Sequence, residues 1–344
     1  MPQNGLPAGV LLVGSVPLSD SETVFRTVAG ALGDRLRRVP DGETGDRGDF
    51  IGWQSALFLG HPQFEASGEV GRYNPRPKSR LRAGVSPSEI RFDHLGYARA
   101  ALASYPIFRR LQSGGVIPAA AKFQVCLPSP LAPIHAWITE KDQPAVRPAY
   151  FLRMLEEVEE ICAAIPHNQL AMQWDVASEM LGFERMGDDP SMQDRRAATL
   201  DALARSGNRV PSDVELGYHL CYGDFGHQHA MQPRDTRTLV TVANGIRDRL
   251  QRPLTWLHMP VPRDRDDSDY FAALADLRLS PDTKLYLGLL HLADGAEGAA
   301  RRITAARIYV DNFGVATECG WGRRDPATVA DLLRLHVEVA APDV

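Results

Sequence analysis

Eight short apolar runs, separated by turn residues and stretches of helical period, constrain this chain more than any other feature of its sequence. They are Val10–Val13, Arg35–Val39, Ala120–Cys126, Leu170–Trp174, Glu215–Leu220, Leu254–His258, Lys284–Leu290 and Arg307–Asn312. The intervening segments predict helices over Ser21–Leu32, Ile90–Leu111, Tyr150–Ala164, Asp194–Ser206, Asp235–Leu250, Ser268–Leu277, Gly295–Ala306 and Ala327–Val339. Ser19 and Asp20 stand where a side chain accepts from the free N–H groups of a first turn. In Tyr150–Ala164, the residues Leu152, Leu155, Val158 and Ile161 share one face at helical spacing. Strands that alternate with helices make a parallel sheet, and eight such units predict an α/β fold of the closed (β/α)8 TIM-barrel type. A chain of 344 residues with 44% hydrophobic content accommodates that barrel as a single domain, 1–344. The exception to the rhythm is 41–115, Gly- and Pro-rich (GRYNPRPKSRLRAGVSPSE), which reads as an insertion after the second strand. A long excursion there is expected to form a lid or active-site wall, or else an oligomer contact.

The formal charge is −5, from 38 basic and 43 acidic residues, which gives no electrostatic reason to expect nucleic acid or an anionic membrane as partner. No apolar run nears the roughly 18 residues of a membrane span. Four cysteines are too few for a disulfide framework, and no basic stretch precedes the first apolar run, so a cytoplasmic location is expected. Small-molecule partners are expected, and a homo-oligomer is left open.

In a barrel of this kind the strand ends build the active site. Reactive side chains recur there: Ser15 after the first run, Asp41 and Glu43 after the second, and Asp175 after LAMQW. His219 and Cys221 follow in ELGYHLCYGDFG, then His258, His291 and Cys319. His219 and Cys221 are the sharpest local signal. Residues i and i+2 of a strand point to one side, so imidazole and thiolate can converge on one ion. Zinc takes such nitrogen and sulfur ligands, and a catalytic site keeps one position open. An H-x-C pair alone is also compatible with no metal at all. Cys126 and Cys162 read as small core residues, and His227 and His229 as loop histidines in solvent.

Taken in order, these motifs resemble the catalytic C-terminal barrel of the cobalamin-independent methionine synthase family, within the uroporphyrinogen decarboxylase/methionine synthase-like superfamily. The segments that carry the resemblance are LLVGSVP, DGETGD, KFQVCLPSPLAPIHAW, QWDVASE, HLCYGDF, LGLLH and ARIYVDNFGVATECGWGRR. The resemblance implies His219, Cys221 and Cys319 as zinc ligands, and Ser15, Glu43 and Asp175 as substrate contacts. Asp175 and His291 would be the catalytic residues, with His291 the acid or base. Three departures stand out. His258 occupies the place of the family's glutamate ligand, and is either a fourth ligand, a neighbour of one, or a sign of an open position. DVAS replaces an Asp-Glu-Pro-Ala stretch. No counterpart of the family's separate N-terminal barrel is present, so folate does not follow as the methyl donor.

The resemblance thus implies a zinc-dependent methyl- or alkyltransferase acting on a small-molecule thiol and an alkyl donor. The same residues would serve thiol-dependent carbon–sulfur cleavage or epoxide opening. Two competing readings remain: a metal-free, decarboxylase-like barrel, and a non-catalytic barrel that binds zinc or another ligand. Against the former, the mouth motifs are mainly acids, His and Cys, with few cations for a polycarboxylate.

Overall fold

The computed structural model describes residues 5–71, 75–224 and 229–343. Seven parallel strands form one curled sheet. They are β1 (Arg38–Pro40), β4 (Lys122–Pro128), β5 (Leu170–Val176), β6 (Glu215–Leu220), β7 (Trp256–Pro260), β8 (Lys284–Leu290) and β9 (Gly314–Thr317), hydrogen-bonded in that order. A separate antiparallel hairpin joins β2 (Phe64–Val70) to β3 (Pro77–Leu81). The helices are α1 (Ser21–Leu32), α2 (Gln54–Gly60), α3 (Tyr97–Ser113), α4 (Leu131–Trp137), α5 (Gln143–Ala164), α6 (Ser178–Met186), α7 (Gln193–Arg209), α8 (Arg237–Arg247), α9 (Ser268–Phe271), α10 (Gly295–Ala306) and α11 (Val329–Val339). No described helix is long and apolar enough to cross a membrane.

The curl follows from side-chain packing. Leu11, Val13, Ala171, Trp256, Tyr286 and Ala316 form one buried cluster, although they come from the N-terminal segment, β5, β7, β8 and β9. A flat sheet cannot bring residues from strands so far apart in order into one contact set. Gly217 on β6 makes room for this core, since a Cβ there would stand 1.9 Å from the Trp256 ring on β7.

Two predicted strands differ from the structure. Val10–Val13 is not a regular strand. Val10 instead makes isolated parallel bridges to Leu36 and to Val315, so the segment lies across the seam between β1 and β9. Its hydrogen bonds run from Val10 N to Arg35 O (2.9 Å) and from Leu11 N to Val315 O (3.0 Å). Gly9, at φ 86°, takes the chain out of extended geometry just before the bridge. The observed sheet therefore has seven strands and is open, a half-barrel. The run Arg307–Asn312 is β-rich in composition, yet Arg307, Tyr309 and Val310 bond back to carbonyls of α10. Ile308 is exposed, and the strand begins only at Gly314.

Where pattern and structure agree, as at α1, local chemistry is strong. Asp20 caps α1 by accepting from Thr23 N at 2.8 Å, and Val24, Phe25, Val28 and Leu32 bury the opposite stripe. Between β1 and β4 the chain makes α2, the β2–β3 hairpin and then α3, which packs on α1 and α5 as the crossover helix.

Candidate metal centre and cavity

Lateral register builds the floor of the site. Asp175 on β5 pairs with His219 on β6, and His219 pairs with His258 on β7. Cys221 lies just past β6, tied to β5 by its N–H to Val176 O at 2.9 Å. Cys319 lies two residues past β9. One ligand atom each from His219, Cys221 and Cys319 falls within 4.8 Å of the others, a group able to hold a metal ion. The two sulfurs stand 3.8 Å apart. Cys319 as a thiol donor, with His219 beside it, draws Cys221 well below the usual thiol range, and Cys221 in turn holds Cys319 up. Burial lowers His219, but Cys221, Asp175 and Asp224 outweigh it and leave its pKa raised.

His258 stands outside this group. It is fully buried, with Nε2 facing Thr317 O at 3.1 Å and Nδ1 facing Nδ1 of His219 at 2.6 Å. A carbonyl only accepts, so His258 carries its proton on Nε2 and accepts at Nδ1. Burial and the neighbouring His219 hold His258 well below its usual range, in keeping with this neutral tautomer. In its neutral form His219 then carries its proton on Nδ1, which leaves Nε2 as a lone pair. That Nε2 is buried and has no hydrogen-bond partner among the described residues. His258, expected as a fourth ligand or as the neighbour of one, thus stands against the ring of His219 and outside the group that could hold an ion.

Above the floor opens a cavity of about 710 Å³, lined by Ser15, Glu43, Asp175, His219, Cys221 and Cys319 among others. Gly14 lets the first turn approach, since a Cβ there would stand 2.9 Å from a Glu43 carboxylate oxygen. Glu43 itself sits at φ 46°, held by its N–H to Asp41 Oδ1 at 2.9 Å. Asp41 is occupied otherwise, paired with Arg47 at 2.7 Å and accepting from Ser104 at 2.8 Å. Ser15 accepts from Gly322 N at 3.0 Å, so its hydroxyl also ties the first turn to the last loop. Burial, with Asp175 as a like-charged neighbour, pushes Glu43 well up. Burial, joined by the like charge of Cys221, lifts Asp175 to about 7.

The raised pKa of Asp175 makes a stability prediction. Between its ordinary value of 3.8 and about 7, the folded chain binds a proton that the unfolded chain has released. This contribution is therefore most favourable below pH 4 and is lost as pH rises towards 7, by up to about 4 kcal/mol. In metal-free protein, Asp175→Asn should be more stable than wild type at pH 8, with the gap closing towards pH 4. Urea denaturation at several pH values in chelator checks this; a pH-independent difference would contradict it.

His291 does not line the main cavity. It faces a second one of about 370 Å³, with His229, Glu318 and Arg324. Its Nε2 donates to Val261 O at 2.8 Å, and its Nδ1 meets the Glu318 carboxylate. Burial raises Glu318, but His291 and Arg324 outweigh it and keep it ionised. His229 is half-buried in this cavity and not a solvated loop residue; His227 lies outside the described residues. The sequence reading also missed Lys78, His135 and Arg185, which line the main cavity. Only their convergence is informative, and they come from a hairpin and two short helices that carry no motif.

No family model matches the sequence, and no curated protein matches it. Among solved structures, the fold is similar to a Listeria monocytogenes protein provisionally named a vitamin-B12-independent methionine synthase. The TM-score is 0.54 at 13% identity, over 98% of this chain and 100% of that one. At that identity, the likeness is one of fold.

Proposed function

We propose that this chain is a zinc-dependent transferase that moves a methyl or other alkyl group to a thiol. The observation that carries the reading is the convergence of His219, Cys221 and Cys319 beneath a large cavity, with Nε2 of His219 left without a partner. With Zn–S bonds of about 2.3 Å at a tetrahedral angle, two sulfurs stand about 3.8 Å apart. Cys221 and Cys319 are 3.8 Å apart. Among the described residues three donors converge, not four, which suits a catalytic site better than a closed structural one. A zinc ion there would lower the pKa of a bound thiol and so favour its nucleophilic form.

The chain's own groups divide the remaining work. His258 fixes the His219 ring. Glu43 and Asp175 would accept from the ammonium of an amino-acid thiol, which in turn would favour their ionised forms. His291, with its Nδ1 at the Glu318 carboxylate, would serve as the acid for a donor whose leaving atom enters the second cavity. The segment at 41–115 supplies Asp49, Phe50, Ile51 and Lys78 to the cavity, in keeping with an active-site wall. The bridges of Val10 to both sheet edges support reading the N-terminal segment as the eighth member of a barrel. The decarboxylase-like alternative draws support from Lys78 and Arg185 in the cavity, but it gives no role to two thiols and an unpartnered imidazole nitrogen.

Metal analysis and ligand spectroscopy test this together. Purified protein should hold about one zinc per chain. Its cobalt(II)-substituted form should show sulfur-to-metal absorption that gains intensity when an amino-acid thiol is added. No metal in carefully prepared protein overturns the reading at its base. Bound metal with a spectrum indifferent to thiols overturns the thiol assignment.

A further inference from the structure

The wall of the main cavity carries the charge opposite to that of its floor. Lys78 from β3, His135 from α4 and Arg185 from α6 line it. Arg147 of α5 donates to Nε2 of His135 at 3.0 Å. Arg195, near the start of α7, acts on the same ring. None of Lys78, Arg147, Arg185 and Arg195 has an ion-pair partner among the described residues. The nearby acids offset them only in part. Asp49 is paired with Arg76 at 2.7 Å. Glu179 is buried, accepts from Ser129 at 2.8 Å, and is pushed by burial to about 7. Burial, followed by the four cations, lowers His135 to about 4, so its ring is neutral and can accept from Arg147.

Four cations gathered around one imidazole repel one another, in a chain whose net charge is −5. Surface cations elsewhere in this fold are mostly paired, as Arg26 is with Glu22 and Arg278 with Asp248. An anion of matching charge would turn the repulsion into charge-assisted hydrogen bonds, with arginine forks among the donors. We infer that this wall is a polyanion subsite: the molecule that fills the cavity carries a group with two or more negative charges, of phosphate or clustered-carboxylate type, away from its reacting end. The inference takes the cavity as a substrate pocket, as the proposed function does, but does not require a metal in it.

Calorimetric titration with inorganic pyrophosphate tests the subsite. Wild type should bind it, more weakly as salt rises. The double variant Lys78→Glu/Arg185→Glu should bind at least tenfold more weakly, while a control reversal on the far helix α11, Arg334→Glu, should not. Cys221→Ser should bind it as wild type does, which keeps a failed metal site distinct from a failed anion site. Two alkanethiols of equal length, one ending in phosphate and one in hydroxyl, then place the charge on the substrate. The phosphate-ended thiol should bind at least tenfold more tightly, and lose that advantage in the double variant. Equal pyrophosphate affinity in wild type and double variant overturns the subsite. Pyrophosphate binding without any preference between the thiols overturns its assignment to the substrate.

Discussion

Cys221→Ser should strip the protein of metal, taking zinc from about one per chain to a tenth of that or less after dialysis against a mild chelator. The serine hydroxyl is far less acidic than a thiol and a poor partner for zinc, which prefers sulfur and nitrogen donors. Only two of the three converging donors would remain. A graded result is expected from His258→Phe. It keeps all three ligands but removes the acceptor at 2.6 Å that sets the tautomer of His219. Loss of such a partner typically weakens metal binding on the order of 10–100-fold. Cys162→Ser, in the core away from the group, should change nothing in metal content. Zinc competition assays on the three variants separate these outcomes. Full occupancy in Cys221→Ser would remove that residue from the ligand set. Equal loss in Cys221→Ser and His258→Phe would mean that His258 ligates the metal directly.

His291→Ala should slow turnover on the order of 10²–10⁴, the usual range for a general acid, and leave zinc in place. Its Nε2 donates to Val261 O, and its Nδ1 faces the carboxylate of Glu318, which neighbours Cys319 in sequence. Glu318→Gln should keep the position while altering the proton affinity of the pair, and so shift the pH profile of turnover without loss of metal. The measurement is kcat with a competent thiol and alkyl donor, beside metal content. Unchanged turnover in His291→Ala would make the second cavity irrelevant to the chemistry. Loss of zinc in that variant would make His291 part of the metal site.

Much of this architecture is written locally. The bounds of β6, β8, α1 and α10 are those expected from period and capping alone. Such features rest on backbone geometry within a few residues: the twofold alternation of a strand, the stripe of a helix, a side chain at an N-terminus. The same local rule brings His219 and Cys221 to one side of β6 before any tertiary contact is considered. It fails where composition and context disagree. Arg307–Asn312 is β-rich, yet its backbone hydrogen bonds are made to α10. The short helices α4 and α6 and the β2–β3 hairpin also lack a long enough period to announce themselves.

The sequence by itself determined the alternating strands and helices, the reactive residues at strand ends, and the placement of His219 and Cys221 on one side of the chain. Only the tertiary structure decided which of those residues meet. Lateral register put His258 behind His219, with both of its ring nitrogens engaged. The path of the chain after β8 turned His291 towards a second cavity. Packing of a hairpin and two helices brought Lys78, His135 and Arg185 to one wall. The physical reason is range. Secondary structure answers to neighbours three or four positions away, whereas ligand sets and charge clusters join side chains tens to a hundred residues apart, whose spacing is fixed only when the sheet has curled and its loops have packed.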